Sequence, residues 1–80
     1  MTSPSSAPTI LDAKGLKCPL PVLRARKAMK DVPPGGLLQV LATDPGAPKD
    51  FIHFCETTGN ELVENRQDGD VYILTIKRAA

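Results

Sequence analysis

Apolar residues recur along this chain with two different periods, and each change of period marks a new element. Residues 9–12, Thr-Ile-Leu-Asp, have the character of a short strand, and Gly15 breaks the chain behind them. From Pro19 the period turns helical. Val22, Ala25, Met29 and Val32 fall at i, i+3, i+7 and i+10, Leu23 and Ala28 widen the stripe, and Arg24, Lys27 and Lys30 lie off it. Pro33-Pro34-Gly35-Gly36 must stop that helix, since proline cannot continue the backbone ladder and glycine does not hold it. Residues 37–43, LLQVLAT, are a mostly apolar run of strand length, as expected of a strand inside a sheet.

Asp44-Pro45-Gly46 is a turn, and Pro48 suits the first position of a second helix. There Phe51, Phe54, Cys55 and Thr58 share a face flanked by Ile52, and Gly59-Asn60 closes the helix. Residues 61–66 and 71–77 read as two further strands, with Asp68-Gly69 as the hairpin signal between them. The order β-α-β-α-β-β predicts an α/β (α+β) two-layer sandwich: a mixed four-stranded sheet with both helices on one face. Residues 1–8 are Ser, Pro, Thr and Ala after the initial Met and are expected to be a disordered tail, leaving residues 9–80 as a single domain.

Composition narrows the class. The chain has 80 residues, so it can bury only a modest core. It holds no run near the roughly 20 apolar residues a membrane helix needs, and residues 1–8 lack the basic start and apolar centre of a signal peptide. The expected location is therefore the cytoplasm. The net charge of +1 hides an asymmetry. Between residues 14 and 30 stand six bases and no acid: Lys14, Lys17, Arg24, Arg26, Lys27 and Lys30. From residue 31 onward eight acids face only four bases. The basic run is either a solvated helix face or a field that steers partners, with Lys14, Lys17, Arg24 and Lys27 as the docking candidates.

The chemistry centres on Cys18. Two cysteines, Cys18 and Cys55, cannot build a disulfide framework, and with His53 they are too few for a four-ligand structural zinc site. No phosphate-cradling loop or paired catalytic carboxylate stands out, and neither a metal nor a cofactor is expected. Cys55 sits among Phe51 and Phe54 and reads as a core residue; His53, just off that face, reads as an exposed histidine. Cys18 is placed differently, in Gly15-Leu16-Lys17-Cys18-Pro19-Leu20-Pro21 at the start of the first helix. With Cys18 as N-cap, Pro19 and Pro21 occupy first-turn positions that have no helical acceptor to lose. The N–H of Leu20 is then the donor nearest the sulfur. Helix dipole, free donors and nearby cations all favour a thiolate, so the expected Cys18 pKa lies below that of an ordinary thiol. A persulfide, whose outer sulfur is normally anionic, would be stabilised by the same surroundings.

The string Leu11-Asp12-Ala13-x-Gly15-Leu16-x-Cys18-Pro19-x-Pro21 resembles the signature of the TusA/SirA-like sulfur carriers. The similarity continues through Pro34-Gly35, Asp44-Pro45, Phe54-Cys55, Glu61-Leu62 and Asp68-Gly69, about residues 10 to 78. The resemblance implies the same two-layer sandwich and an active cysteine at Cys18. It implies a carrier with a sulfurtransferase-type step rather than an enzyme turning over alone. Sulfane sulfur would arrive from a cysteine desulfurase or a rhodanese-type donor. It would leave on a sulfur-accepting protein in tRNA thiolation, cofactor assembly or sulfur oxidation. Many members have an acid between the prolines, where this chain has Leu20, a departure that bears on partner choice.

Two other classes compete. A nucleic-acid- or protein-binding regulatory module would use the basic helix, but no aromatic residue lies among its bases to stack on a nucleobase. A thiol redox protein would need a resolving cysteine, and there is no Cys-x-x-Cys pair. Direct contact with a membrane or with nucleic acid is not expected.

Overall fold

A computed structural model describes residues 8–79 of the chain. Of the expected N-terminal tail, all but Pro8 lies outside the described residues. Six elements follow in the expected order: β1 (Thr9–Ala13), α1 (Leu20–Met29), β2 (Leu37–Ala42), α2 (Ala47–Thr58), β3 (Glu61–Asp68) and β4 (Val71–Lys77). They build a four-stranded sheet of order β1-β2-β4-β3. The β1–β2 pair is parallel, joined through α1, and the other two pairs are antiparallel. Both helices pack against the sheet and against each other, so they share one face.

The strand alternation explains the layering. In β2, Leu38, Val40 and Ala42 are buried while Leu37, Gln39 and Leu41 are only partly covered. The buried set meets Ala25 and Met29 of α1, Phe51, Phe54 and Cys55 of α2, and Leu74 and Ile76 of β4 in one core. Val32 closes the apolar stripe of α1 from just beyond the helix and is 1% exposed. The Arg78 guanidinium, at the end of β4, donates to the carbonyls of Met29 and Val32, giving the α1 C-terminus a positively charged cap. On the opposite sheet face Gln39 donates to Thr75 and Thr75 to Glu64, which Arg66 also contacts. Those two bonds hold the Glu64 carboxyl below the usual carboxylate range, the Arg66 bond being the stronger cause.

Boundaries shift where turn chemistry intervenes. β3 runs two residues beyond its expected end at Arg66, to Asp68. The hairpin then turns at Gly69, whose φ of 62° lies in the left-handed region that favours glycine. A bulge between Leu62 and Glu64 leaves Val63 out of register and 45% exposed. Thr58, expected on the buried face, is exposed at the helix end and turns its hydroxyl back to the Phe54 carbonyl.

Candidate functional site

The loop between β1 and α1 places Cys18. Asp12 accepts the Lys14 backbone N–H at 3.0 Å, and Gly15, at φ 83°, donates its N–H to the Thr43 hydroxyl at 2.9 Å. Leu16 packs against the core and anchors the loop, while Lys17, Cys18, Pro19 and Leu20 remain exposed. The Leu20 N–H bonds to the Lys17 carbonyl at 2.8 Å, closing a turn over the cis Cys18–Pro19 peptide.

That turn displaces the expected cap. The N-cap of α1 is Pro19, not Cys18, and it makes no side-chain cap. Because the Leu20 N–H is committed to Lys17, it is not the donor for the sulfur that the sequence suggested. Cys18 stands one residue outside the helix and faces α2 instead. Its Sγ donates a hydrogen bond to Asp50 Oδ2, from the first turn of α2. The carboxylate of Asp44 adds its charge from the preceding turn, where Oδ2 accepts the Gly46 N–H at 2.9 Å. A Cβ placed on Gly46 would lie 3.1 Å from that oxygen and 4.0 Å from the Cys18 Cβ, so a side chain there would crowd the Asp44 carboxylate and come into ordinary contact with the cysteine.

The electrostatic expectation is therefore corrected. The hydrogen bond to Asp50 holds the Cys18 thiol above the ordinary thiol range, followed by partial loss of hydration and then the charges of Asp50 and Asp44. A carboxylate accepting an S–H bond favours the protonated form. Lys14 is engaged with Asp12 at 3.4 Å.

Beside Cys18 a groove of about 580 Å³ runs between α1 and α2. Pro19, Val22 and Phe54 supply its apolar walls, and Arg26, Lys49, Asp50 and His53 its charged or titratable ones. The Arg26 guanidinium lies 5.4 Å over the Phe54 ring, which fixes a positive group there.

Residues 9–78 match the family model described as Sulfurtransferase TusA. The chain is 49% identical to a sulfur carrier protein TusA of Allochromatium vinosum over 86% of this chain and 91% of that protein. It is 45% identical to one from Pseudomonas paraeruginosa over 100% and 99%. Among solved structures, a SirA-like protein of Desulfitobacterium hafniense superposes with a TM-score of 0.77 at 28% identity, covering 90% of this chain and 99% of that one. The chain belongs to the TusA family. Its function is that of a sulfur carrier in a relay between proteins.

Against this TusA background the positions of the expected site residues can be read. Pro21 is buried, so the motif's second proline is also a core residue, while Pro19 and Leu20 stay at the surface beside Cys18. Arg24 and Lys27 are exposed on α1. Cys55 is 5% exposed, and burial pushes its thiol pKa up, which suits a packing role. His53 is exposed, as expected, and lines the groove. Asp50, Arg26 and Lys49 were not singled out from the sequence. The available signal was weak: an acid in a helix first turn is common, and nothing local shows which loop will dock on it.

Proposed function

We propose that this sulfur carrier holds sulfane sulfur as a persulfide on Cys18. The observation that carries the reading is an exposed, unpaired cysteine on a loop fixed at Gly15 and Leu16. A group handed directly between two proteins must be reachable by both, and Cys55 is not. The donor is a cysteine desulfurase or a rhodanese-type protein, and the acceptor a protein cysteine of tRNA thiolation, cofactor assembly or sulfur oxidation. An exposed free thiol with this task needs a reducing compartment, which supports a cytoplasmic location. Among the described residues no helix is long and apolar enough to cross a membrane.

Peptide mapping after loading tests the assignment. The protein is incubated with a cysteine desulfurase and cysteine, alkylated without reductant, and digested. One reducible sulfur is expected on the peptide containing Cys18; the same sulfur on the Cys55 peptide would overturn the reading.

Docking is assigned to the α1 side of Cys18. Leu20 and Leu23 are 45% and 52% exposed there, with Lys17, Arg24 and Lys27 exposed around them. An apolar centre with a cationic rim suits a partner whose matching surface is apolar and acidic. Lys14, half paired with Asp12, contributes less. Reversing Arg24 and Lys27 to Glu is expected to slow protein-to-protein transfer by about tenfold at low salt. The deficit should shrink as salt rises, because exposed charges are screened within about 10 Å at 0.1 M. Loading from a small uncharged sulfane-sulfur donor should be unaffected. Transfer at the wild-type rate in low salt would show the face to be only solvated surface.

A further inference from the structure

The structure assigns a second reacting group to this site: we propose that Asp50 is the proton shuttle of Cys18. The inference rests on the reading of Cys18 as the persulfide-bearing residue and adds to it the route its proton takes. The carboxylate is the hydrogen-bond acceptor of the Cys18 S–H, and it is held by α2, not by the loop that carries the cysteine. Among the described residues it is the polar side chain bonded to that sulfur. Phe51, the next residue, is fully buried and pins the first turn of α2 to the core, so the carboxylate is delivered to the sulfur by a packed element. The other charged or titratable groups around Asp50 are Lys49 and His53 of α2, Arg26 of α1 across the groove, and Asp44 of the turn before α2.

The chemistry of transfer needs such a group. A loaded donor presents a persulfide anion, donor–S–S⁻, and Cys18 begins as a hydrogen-bonded thiol. Attack of a bare thiolate on that anion would bring two negative sulfurs together. With Asp50 in place, Sγ passes its proton to the carboxylate as it forms a bond to the sulfane sulfur. The donor's S–S bond breaks, and its electron pair leaves on the donor cysteine as thiolate. Asp50 then returns the proton to the transferred sulfur. The sum is Cys18–SH plus donor–S–S⁻ giving Cys18–S–SH plus donor–S⁻, with no external oxidant or reductant. Unloading runs the same path with roles exchanged. An acceptor thiolate takes the sulfane sulfur, and Cys18 leaves with its negative charge quenched by a proton from Asp50. A carrier must be nucleophile in one encounter and leaving group in the next, and one carboxylate that gives and takes a proton serves both.

Asp50→Asn separates the shuttle from every simpler role, because the amide keeps the shape and the hydrogen bond but holds no mobile proton. Two rates are measured on full-length protein across pH: alkylation by iodoacetamide, which reports thiolate alone, and sulfur transfer from a loaded desulfurase. In Asp50→Asn the alkylation midpoint should fall, so alkylation at neutral pH becomes faster. Sulfur transfer should become slower by about tenfold or more. Asp50→Glu should recover transfer, and Glu56→Gln, the same charge change farther along α2, should leave both rates near wild type. Transfer in Asp50→Asn at or above the wild-type rate would overturn the proposal, as would a parallel fall of transfer and alkylation. Either result leaves the Cys18 reading standing, since that reading fails only if Cys18→Ala still accepts sulfur.

Discussion

Replacing Cys18 with alanine is expected to abolish sulfur loading, while Cys55→Ala loads one reducible sulfur at close to the wild-type rate. The contrast follows from two placements of the same side chain. Cys18 is exposed on a loop in front of α1, where a partner's sulfur can approach it. Cys55 is 5% exposed within the cluster that includes Phe51 and Phe54, and burial disfavours its thiolate. Loading needs an accessible sulfur, and Cys55 does not offer one. The cost of changing Cys55 is instead structural. Removing one buried sulfur should lower stability by about 1 to 2 kcal/mol through lost contacts and a small cavity. Cys18→Ala should unfold at the wild-type denaturant midpoint, because its side chain packs against nothing in the core. Intact-mass measurement with and without reductant, beside a urea titration of each variant, checks both halves. Loading of Cys18→Ala to any fraction near one sulfur per chain would remove it as the carrier residue.

The frame of the molecule was legible in the sequence because it depends on patterns that repeat. Alternation in 71–77, the helical stripe ending at Val32, and the punctuation at Pro33–Gly36 and Gly59 each reflect many residues obeying one period. The order of elements then restricted the sheet to few arrangements, and the observed β1-β2-β4-β3 order is one of them. Of the candidate site, the exposed placement of Cys18 at the loop before α1 was legible, and no more. Its electrostatics were misjudged because the reading counted cations by nearness in sequence. Asp50 lies 32 positions away and meets the sulfur only because the sheet brings the α2 N-terminus beside the β1–α1 loop. Likewise, the assignment of Cys18 as N-cap assumed a helix beginning at the first proline. The Leu20–Lys17 hydrogen bond, a single local choice with no periodic signature, moved the start by one residue and turned the sulfur from α1 toward α2. Arg26 went unassigned for a related reason: its use as the charge over the Phe54 ring depends on the packing of α1 against α2.

Phe51→Ala is expected to lose a large share of the stability of the domain. Phe51 is 0% exposed and is one of only two phenylalanines in a chain without tryptophan. Its ring meets Phe54 edge-on, with centroids 6.1 Å apart and planes at 77°. Truncating a buried phenylalanine costs about 3 to 5 kcal/mol in transfer and cavity terms together. A domain of this size has about 4 to 12 kcal/mol in all, at the usual stability per residue. The midpoint of urea unfolding should therefore fall steeply with little change in slope, since the surface exposed on unfolding is nearly the same. The position has a functional consequence as well, because the residue before it is Asp50. As α2 loosens, the carboxylate leaves Cys18, and alkylation of Cys18 should follow that of a free cysteine well before global unfolding is complete. Conservative Phe51→Leu, which keeps most of the buried surface, should recover much of both properties. A loss below about 1.5 kcal/mol for Phe51→Ala would show that α2 is seated mainly by other residues. Unchanged alkylation of Cys18 in that variant would show that the Asp50 contact does not depend on the seat.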